Sequence, residues 1–187
     1  MPTKGKYLKG QLLLDGGSLR GSFFHRSVVL ICAHDSEGAF GLVLNRPTGN
    51  TAGEVILSPD LPERLKDKGV FLGGPVQAGA LSYLHSDSNL TEGTVLPDIA
   101  LGHSIDDLAS IATNASDLSR VRLFAGYAGW SPGQLEDEMK REAWLTHPAT
   151  SALVFDSQPE LLWKKILSQK GWNYKLLAES PEDPSHN

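Results

Sequence analysis

Apolar positions along the chain recur with two periods, and the alternation between them sketches the elements of a fold. Gln11 to Leu14 form a short apolar run ended by Asp15, Gly16 and Gly17, and Ser27 to Ala33 (SVVLICA) form a β-branched run between polar flanks. Both read as strands. Ala39 to Leu44 follow a polar HDSEG turn, so an antiparallel hairpin is expected, closed by Asn45-Arg46-Pro47. Residues 1–9 read as a basic, mobile start, and 48–69 as a polar connection holding a short helix. Further strands are expected at Val70–Leu72, Ala80–Leu84, Val95–Leu101, Val121–Phe124, Ser151–Phe155 and Tyr174–Ala178, with Pro97 pushing the third towards an edge or bulge.

Helical spacing appears in three places. Ser104 and Asp107 have capping-box spacing ahead of Leu108, Ile111 and Ala112, which predicts a helix near 105–113. After the FAGYAGW stretch, whose Gly126 and Gly129 read as a Gly-x-x-Gly turn, Ser131 is placed to cap a helix, Pro132 occupies its first position and Gln134 completes the box. Trp130 and Leu135 are spaced as a staple, and Leu135, Met139 and Ala143 form one apolar stripe, so a helix is expected from about 132 to 145. Ser157 with Glu160 opens a third, Pro159–Lys170, ended by Gly171 and burying Leu162, Trp163, Ile166 and Leu167. Strands and helices mix without βαβα alternation. One α+β domain is therefore expected over residues 1–178, with mixed, largely antiparallel sheet and about three helices packed on it. The acidic, proline-containing tail 179–187 reads as disordered.

Composition narrows the function more than the fold. A net charge of -5 with no clustered Lys/Arg stripe lacks the footprint of a nucleic-acid binder. Cys32 is the single cysteine, so no intrachain disulfide forms and a reducing compartment is the natural setting. No apolar stretch approaches the ~18 residues of a membrane span, and a cytoplasmic location without membrane contact is expected. GGPVQAGA lacks the Lys-Ser/Thr of a phosphate loop, the six histidines show no metal-ligand spacing, and no cofactor is expected.

SVVLICAHDSEGAFGLVLNRP, FLGGPV, RLFAGYAGWSPGQLEDEM and SQPELLWKKILSQKGW together resemble the AlgH/YqgE family of bacterial proteins over almost the whole chain. The resemblance implies a compact α+β fold with coiled sheets and a partly open barrel, and the family's name reflects a proposed regulatory part. It supplies no reaction. One departure lies at Leu19–Phe24, where Arg20, Gly21 and Ser22 stand in place of an Asp-Pro turn.

Two catalytic patterns can be weighed against bland readings. Gly129-Trp130-Ser131-Pro132-Gly133 matches a nucleophile elbow, but the oxyanion donor would be Pro132, which has no N–H, and helix capping accounts for Ser131. Cys32 and His34 are two apart on a strand and would share a face, the minimum for an activated or redox-active thiol, although a cysteine ending VVLIC is more simply packing. Asp137 with Arg141 reads as a surface pair. Binding groups gather instead at three strand ends: Asn45 and Arg46; Gly73 and Gly74; and Gly126, Tyr127, Gly129 and Trp130, with Gln134 and Glu136 bracing the last. The expectation is one shared groove for a small anionic ligand or a protein partner in an extended segment, used by a binding or regulatory protein. The alternative is a hydrolase or thiol-dependent enzyme working through Cys32/His34 or the same groove.

Overall fold

In a computed structural model, which describes residues 7–182, the first apolar runs become β1 (Gln11–Asp15), β2 (Val28–Asp35) and β3 (Gly38–Val43). Both faces of these strands are covered. Leu12, Leu14, Val28, Leu30 and Leu42 enter one cluster, while Leu13, Val29, Ile31 and Val43 enter another, which explains an apolar run without alternation. The β2–β3 turn is tighter than the sequence suggests, because Ser36 and Glu37 alone separate the strands.

The polar connection after Arg46 holds β4 (Pro47–Thr51), which was not anticipated, and the short helix α1 (Ala52–Val55), which was. Then come β5 (Gly69–Leu72), β6 (Val76–His85), and a hairpin of β7 (Thr94–Leu96) and β8 (Ile99–Gly102). Pro97 thus marks a turn between two strands rather than a bulge within one. Helix α2 (Ile105–Asn114) begins as expected, with the Ser104 hydroxyl accepting from the Asp107 N–H.

The largest departure follows. The FAGYAGW stretch is no turn but part of a ten-residue strand, β9 (Val121–Trp130). Its first half lies beside β6 on one edge and parallel to β5 on the other; its last residues, Ala128–Trp130, pair with β3. One strand therefore splices two half-sheets into the order β10-β1-β2-β3-β9-β6-β8-β7, where β10 is Trp144–Pro148. This single domain is sheet-dominated, and the sheet curls into a half-barrel. Gly126, at φ +72°, allows the crossing, and β6 answers with an irregularity between Val76 and Leu81.

Among the described residues, six helices accompany this sheet. After β9, Gly133 (φ +77°) begins α3 (Gln134–Lys140), later and shorter than expected. Ser131 is not its side-chain cap: only its backbone takes part, with the N–H donating to the Gln134 side chain at 3.0 Å and the carbonyl accepting from the Gln134 N–H at 3.0 Å. Asp137 pairs with Lys140 at 3.0 Å rather than with Arg141. The segment expected as a strand at Ser151–Phe155 is a helical turn, α4 (Ser151–Val154), whose Thr150 hydroxyl accepts from Leu153. A 3-10 turn at Pro159–Leu161 leads into α5 (Leu162–Leu167), with Gln158 rather than Ser157 at its cap. The Tyr174–Ala178 strand is instead part of α6 (Trp172–Glu179). The tail expected to be disordered lies, over 183–187, outside the described residues, as does the mobile start over 1–6. Leu8 is tied down, its N–H donating to His34 at 3.0 Å. No helix among the described residues is long and apolar enough to cross a membrane.

Candidate functional site

The site is built outward from Asp15, which ends β1 fully buried. A buried carboxylate needs several donors. Asp15 accepts from the N–H groups of Gly17 (2.7 Å), Leu19 (3.1 Å) and Arg26 (2.8 Å), which gathers residues 16–26 into a fixed loop. Its main-chain carbonyl accepts the Trp163 indole N–H at 2.9 Å, tying the loop's origin to α5. Arg26 accepts φ 54° to close the turn.

Asn45 and Arg46 hold the other side of this loop. The Asn45 side chain accepts from the Val28 N–H (2.9 Å) and donates to the Arg26 carbonyl (2.8 Å), so it positions backbone at the edge of the cleft. Arg46 uses one nitrogen, Nη2, to donate to the carbonyls of Phe23 and His25, and its guanidinium sits 5.4 Å from the Phe23 ring centroid. Nε and Nη1 have no partner among the described residues. Arg26 lies 5.0 Å from the Trp163 ring and donates to the carbonyls of Ser180 (2.8 Å) and Pro181 (3.0 Å). Arg26, Arg46 and Lys164 together line a cleft of about 610 Å³ between the loop and the C-terminal helices. Glu160 and Glu182 line it too, Glu182 standing 3.8 Å from Arg26. The Lys164 ammonium has no hydrogen bond or ion pair among the described residues.

The expected single groove is divided. Gly129, Trp130 and Gln134 line a separate cleft of about 450 Å³ with Phe24, Glu138 and Trp144. Ser22 belongs to both clefts, so the 16–26 loop is their common wall. Glu138, not singled out by the sequence, is the hub of the second. One of its oxygens accepts both indole N–H groups, Trp130 at 2.9 Å and Trp144 at 2.8 Å, and the other accepts from Gln134 at 3.0 Å. Two tryptophans and a glutamate eight residues from the first were the available signal.

Gly73, Gly74 and Gly126 line neither cleft. Cβ atoms there would meet backbone: 2.4 Å from the Gly126 carbonyl oxygen for Gly73, and 2.0 Å from the Tyr127 carbonyl carbon for Gly74. These glycines admit strands to one another, and no room for a ligand results. Tyr127 is stacked on Phe40 at 4.9 Å. Glu136 reaches away from both clefts to His34, at 3.4 Å from Nε2.

Cys32 and His34 do not share a face. Strand β2 shifts register between Ile31 and Ala33, and Cys32 is the extra residue. Cys32 therefore packs with Leu30 and Leu42, whereas His34 pairs with Ala39, whose side chain belongs to the opposite cluster. The thiol is 4% exposed, and burial pushes its pKa up, away from thiolate. In the native protein Cys32 is expected to react with a disulfide reagent at least about a hundredfold more slowly than in denaturant. Comparable rates in the two states would reinstate a reactive thiol. The Ser131 hydroxyl has no hydrogen-bond partner among the described residues, so no base is in place to activate it. No group of three or more His, Cys, Asp or Glu that could hold a metal is found among them either.

With this geometry in view, the chain can be compared with known proteins. The AlgH-like family model matches residues 12–175. A UPF0301 protein of Chlorobium luteolum is 36% identical over 181 residues, covering 95% of this chain and 94% of its own. Another, from Chlamydia caviae, is 36% identical over 179 residues, covering 94% of this chain and 93% of its own. The solution structure of the AlgH protein from Pseudomonas aeruginosa matches with a TM-score of 0.75 at 33% identity, over 97% of this chain and 98% of that one. The crystal structure of a Corynebacterium diphtheriae protein shares the fold, with a TM-score of 0.75 at 22% identity over 95% of both chains.

Proposed function

We infer that this chain, which belongs to the AlgH-like family, is a binding protein that takes a small anionic ligand in the cleft around Arg46. The observation carrying this reading is the state of the Arg46 guanidinium. One nitrogen is anchored on two carbonyls and the plane is backed by Phe23, while Nε and Nη1 stay unpartnered beside Arg26 and Lys164. A guanidinium held in place loses little rotamer freedom on binding, and its planar fork suits carboxylate or phosphate. Binding is favoured over catalysis because the two nucleophiles considered, Cys32 and Ser131, lie outside this cleft and lack an activating base. Of the three strand ends in the sequence reading, the proposed ligand site keeps Asn45 and Arg46 and exchanges the GGPV and GYAGW segments for the 16–26 loop.

The test is thermal unfolding with inorganic phosphate, pyrophosphate and citrate as probes, on the wild type and on Arg46→Ala. A ligand at a hundred times its Kd stabilises by about 2.7 kcal/mol, which for a domain of this size raises Tm by roughly 5 to 10 °C. At least one probe is expected to do so in the wild type, and Arg46→Ala is expected to abolish the rise. No shift with any probe, or equal shifts in both proteins, would sink the reading.

A further inference from the structure

A third cleft, also of about 610 Å³, opens between the end of β6, the β7–β8 hairpin and the start of α2. Tyr83, His85, Glu92, His103, Ser104 and Asp107 supply its polar lining. Its electrostatic character is opposite to that of the Arg46 cleft: among the described residues no lysine or arginine lines it, and both charged side chains are acids. Neither the Glu92 nor the Asp107 carboxylate has a hydrogen bond or ion pair among the described residues. Asp107 lies close enough to bear on the titration of both Tyr83 and His85.

His85 makes this cleft more than a patch of surface acids. The residue is 2% exposed, yet it lines the cleft. Its Nδ1 accepts from the Asp87 N–H at 3.2 Å, which assigns the proton of the neutral ring to Nε2. That Nε2–H donates to no described group, which leaves it for an acceptor on a ligand in the cleft. Burial lowers the His85 pKa, which keeps the ring neutral near pH 7 despite the neighbouring acids. Tyr83 is equally fixed. Its hydroxyl donates to the Ser104 carbonyl at 2.8 Å, burial raises its pKa to about 12, and the ring fills the space a Cβ on Gly102 would take. An anion is disfavoured here even though α2 begins at the cleft, because Asp106 and Asp107 already complement the positive end of the helix.

We propose that this cleft binds a compact aliphatic amine carrying a neutral oxygen acceptor, an amino alcohol or amino amide. The ammonium lies between Glu92 and Asp107, and the ligand oxygen accepts the His85 Nε2–H. Nothing in this assignment depends on the Arg46 cleft.

The experiment titrates ethanolamine and glycinamide into the full chain, with propionate as a charge-reversed control. Binding is read by calorimetry and by the side-chain ¹⁵N signals of His85. Saturable binding of at least one amine is expected, with movement of the His85 Nε2 signal and no response to propionate. Asp107→Asn is expected to weaken binding at least tenfold. It leaves the α2 cap intact, since that cap uses the Asp107 backbone N–H and the Ser104 hydroxyl, and an unchanged melting temperature verifies the point. His85→Gln is expected to weaken binding as well, and Arg46→Ala to leave it unchanged. Absence of saturable amine binding, a stationary His85 signal, or full affinity in Asp107→Asn would each overturn the proposal.

Discussion

Gly74→Ala is expected to unfold the domain at ambient temperature or to lower its stability by at least about 4 kcal/mol, the range of the most damaging single substitutions. The added Cβ would lie 2.0 Å from the Tyr127 carbonyl carbon, 2.1 Å from its oxygen and 2.3 Å from the Ala128 nitrogen. All three are backbone atoms of β9, at the point where that strand passes from one half-sheet to the other, so no side chain can rotate away. Relief requires separating β5 from β9, and the Gly73 N–H bond to the Ala125 carbonyl, 2.9 Å, goes with it. Gly21→Ala is the control. Its φ is +82° but nothing lies within 4 Å of the new Cβ, so only the left-handed backbone penalty of about 1 to 2 kcal/mol applies. Urea unfolding of both variants separates the effects. Equal losses in the two would mean that the crossing is loose and that backbone conformation alone sets the cost.

Asp15→Ala is expected to cost about 3 to 5 kcal/mol and, at the same time, to abolish anion stabilisation in the Arg46 cleft. The stability loss follows from leaving the N–H groups of Gly17, Leu19 and Arg26 without their common acceptor. The functional loss follows from what the loop carries. Arg46 is anchored on the carbonyls of Phe23 and His25, which lie in the segment Asp15 holds together. Calorimetric titration with the anion probes, run below the variant's melting temperature, distinguishes the two effects from simple unfolding. Retention of the anion response in a folded Asp15→Ala protein would show that Arg46 needs no such support.

Several elements were legible in the sequence because their signals are local. The capping Ser104, the apolar stripe of α5 and the β-branched run of β2 each specify their element from a few residues, and the family resemblance rested on the same stretches. Signals with two readings went astray. Gly126 and Gly129 suggested a turn, because glycine supplies turns and close strand crossings alike, and only the partner strands decide which. SALVF looked like a strand by propensity, but Thr150 accepts from Leu153 and caps a helical turn. The Cys32–His34 pairing assumed unbroken alternation, and one bulge residue reversed it. Of the groove residues, Asn45 and Arg46 line one cleft and Gly129, Trp130 and Gln134 another, while Asp15 was passed over as a strand terminator. Two of its three backbone donors, Gly17 and Leu19, are local, but its full burial and the Arg26 donor come from packing that no spacing along the chain announces.

The place of β9 in the sheet order also bears on how the chain can be made. Strands β3 and β6 lie on either side of it, and both are complete before residue 121 is reached. While the ribosome is still adding the last third, those two edges face water with their backbone groups unpaired, a template for association with another chain. The two half-sheets cannot be joined until Trp130 has left the exit tunnel, so the nascent chain carries both open edges over that interval. Messages broken before that point yield products with two open half-sheets and no means of joining them.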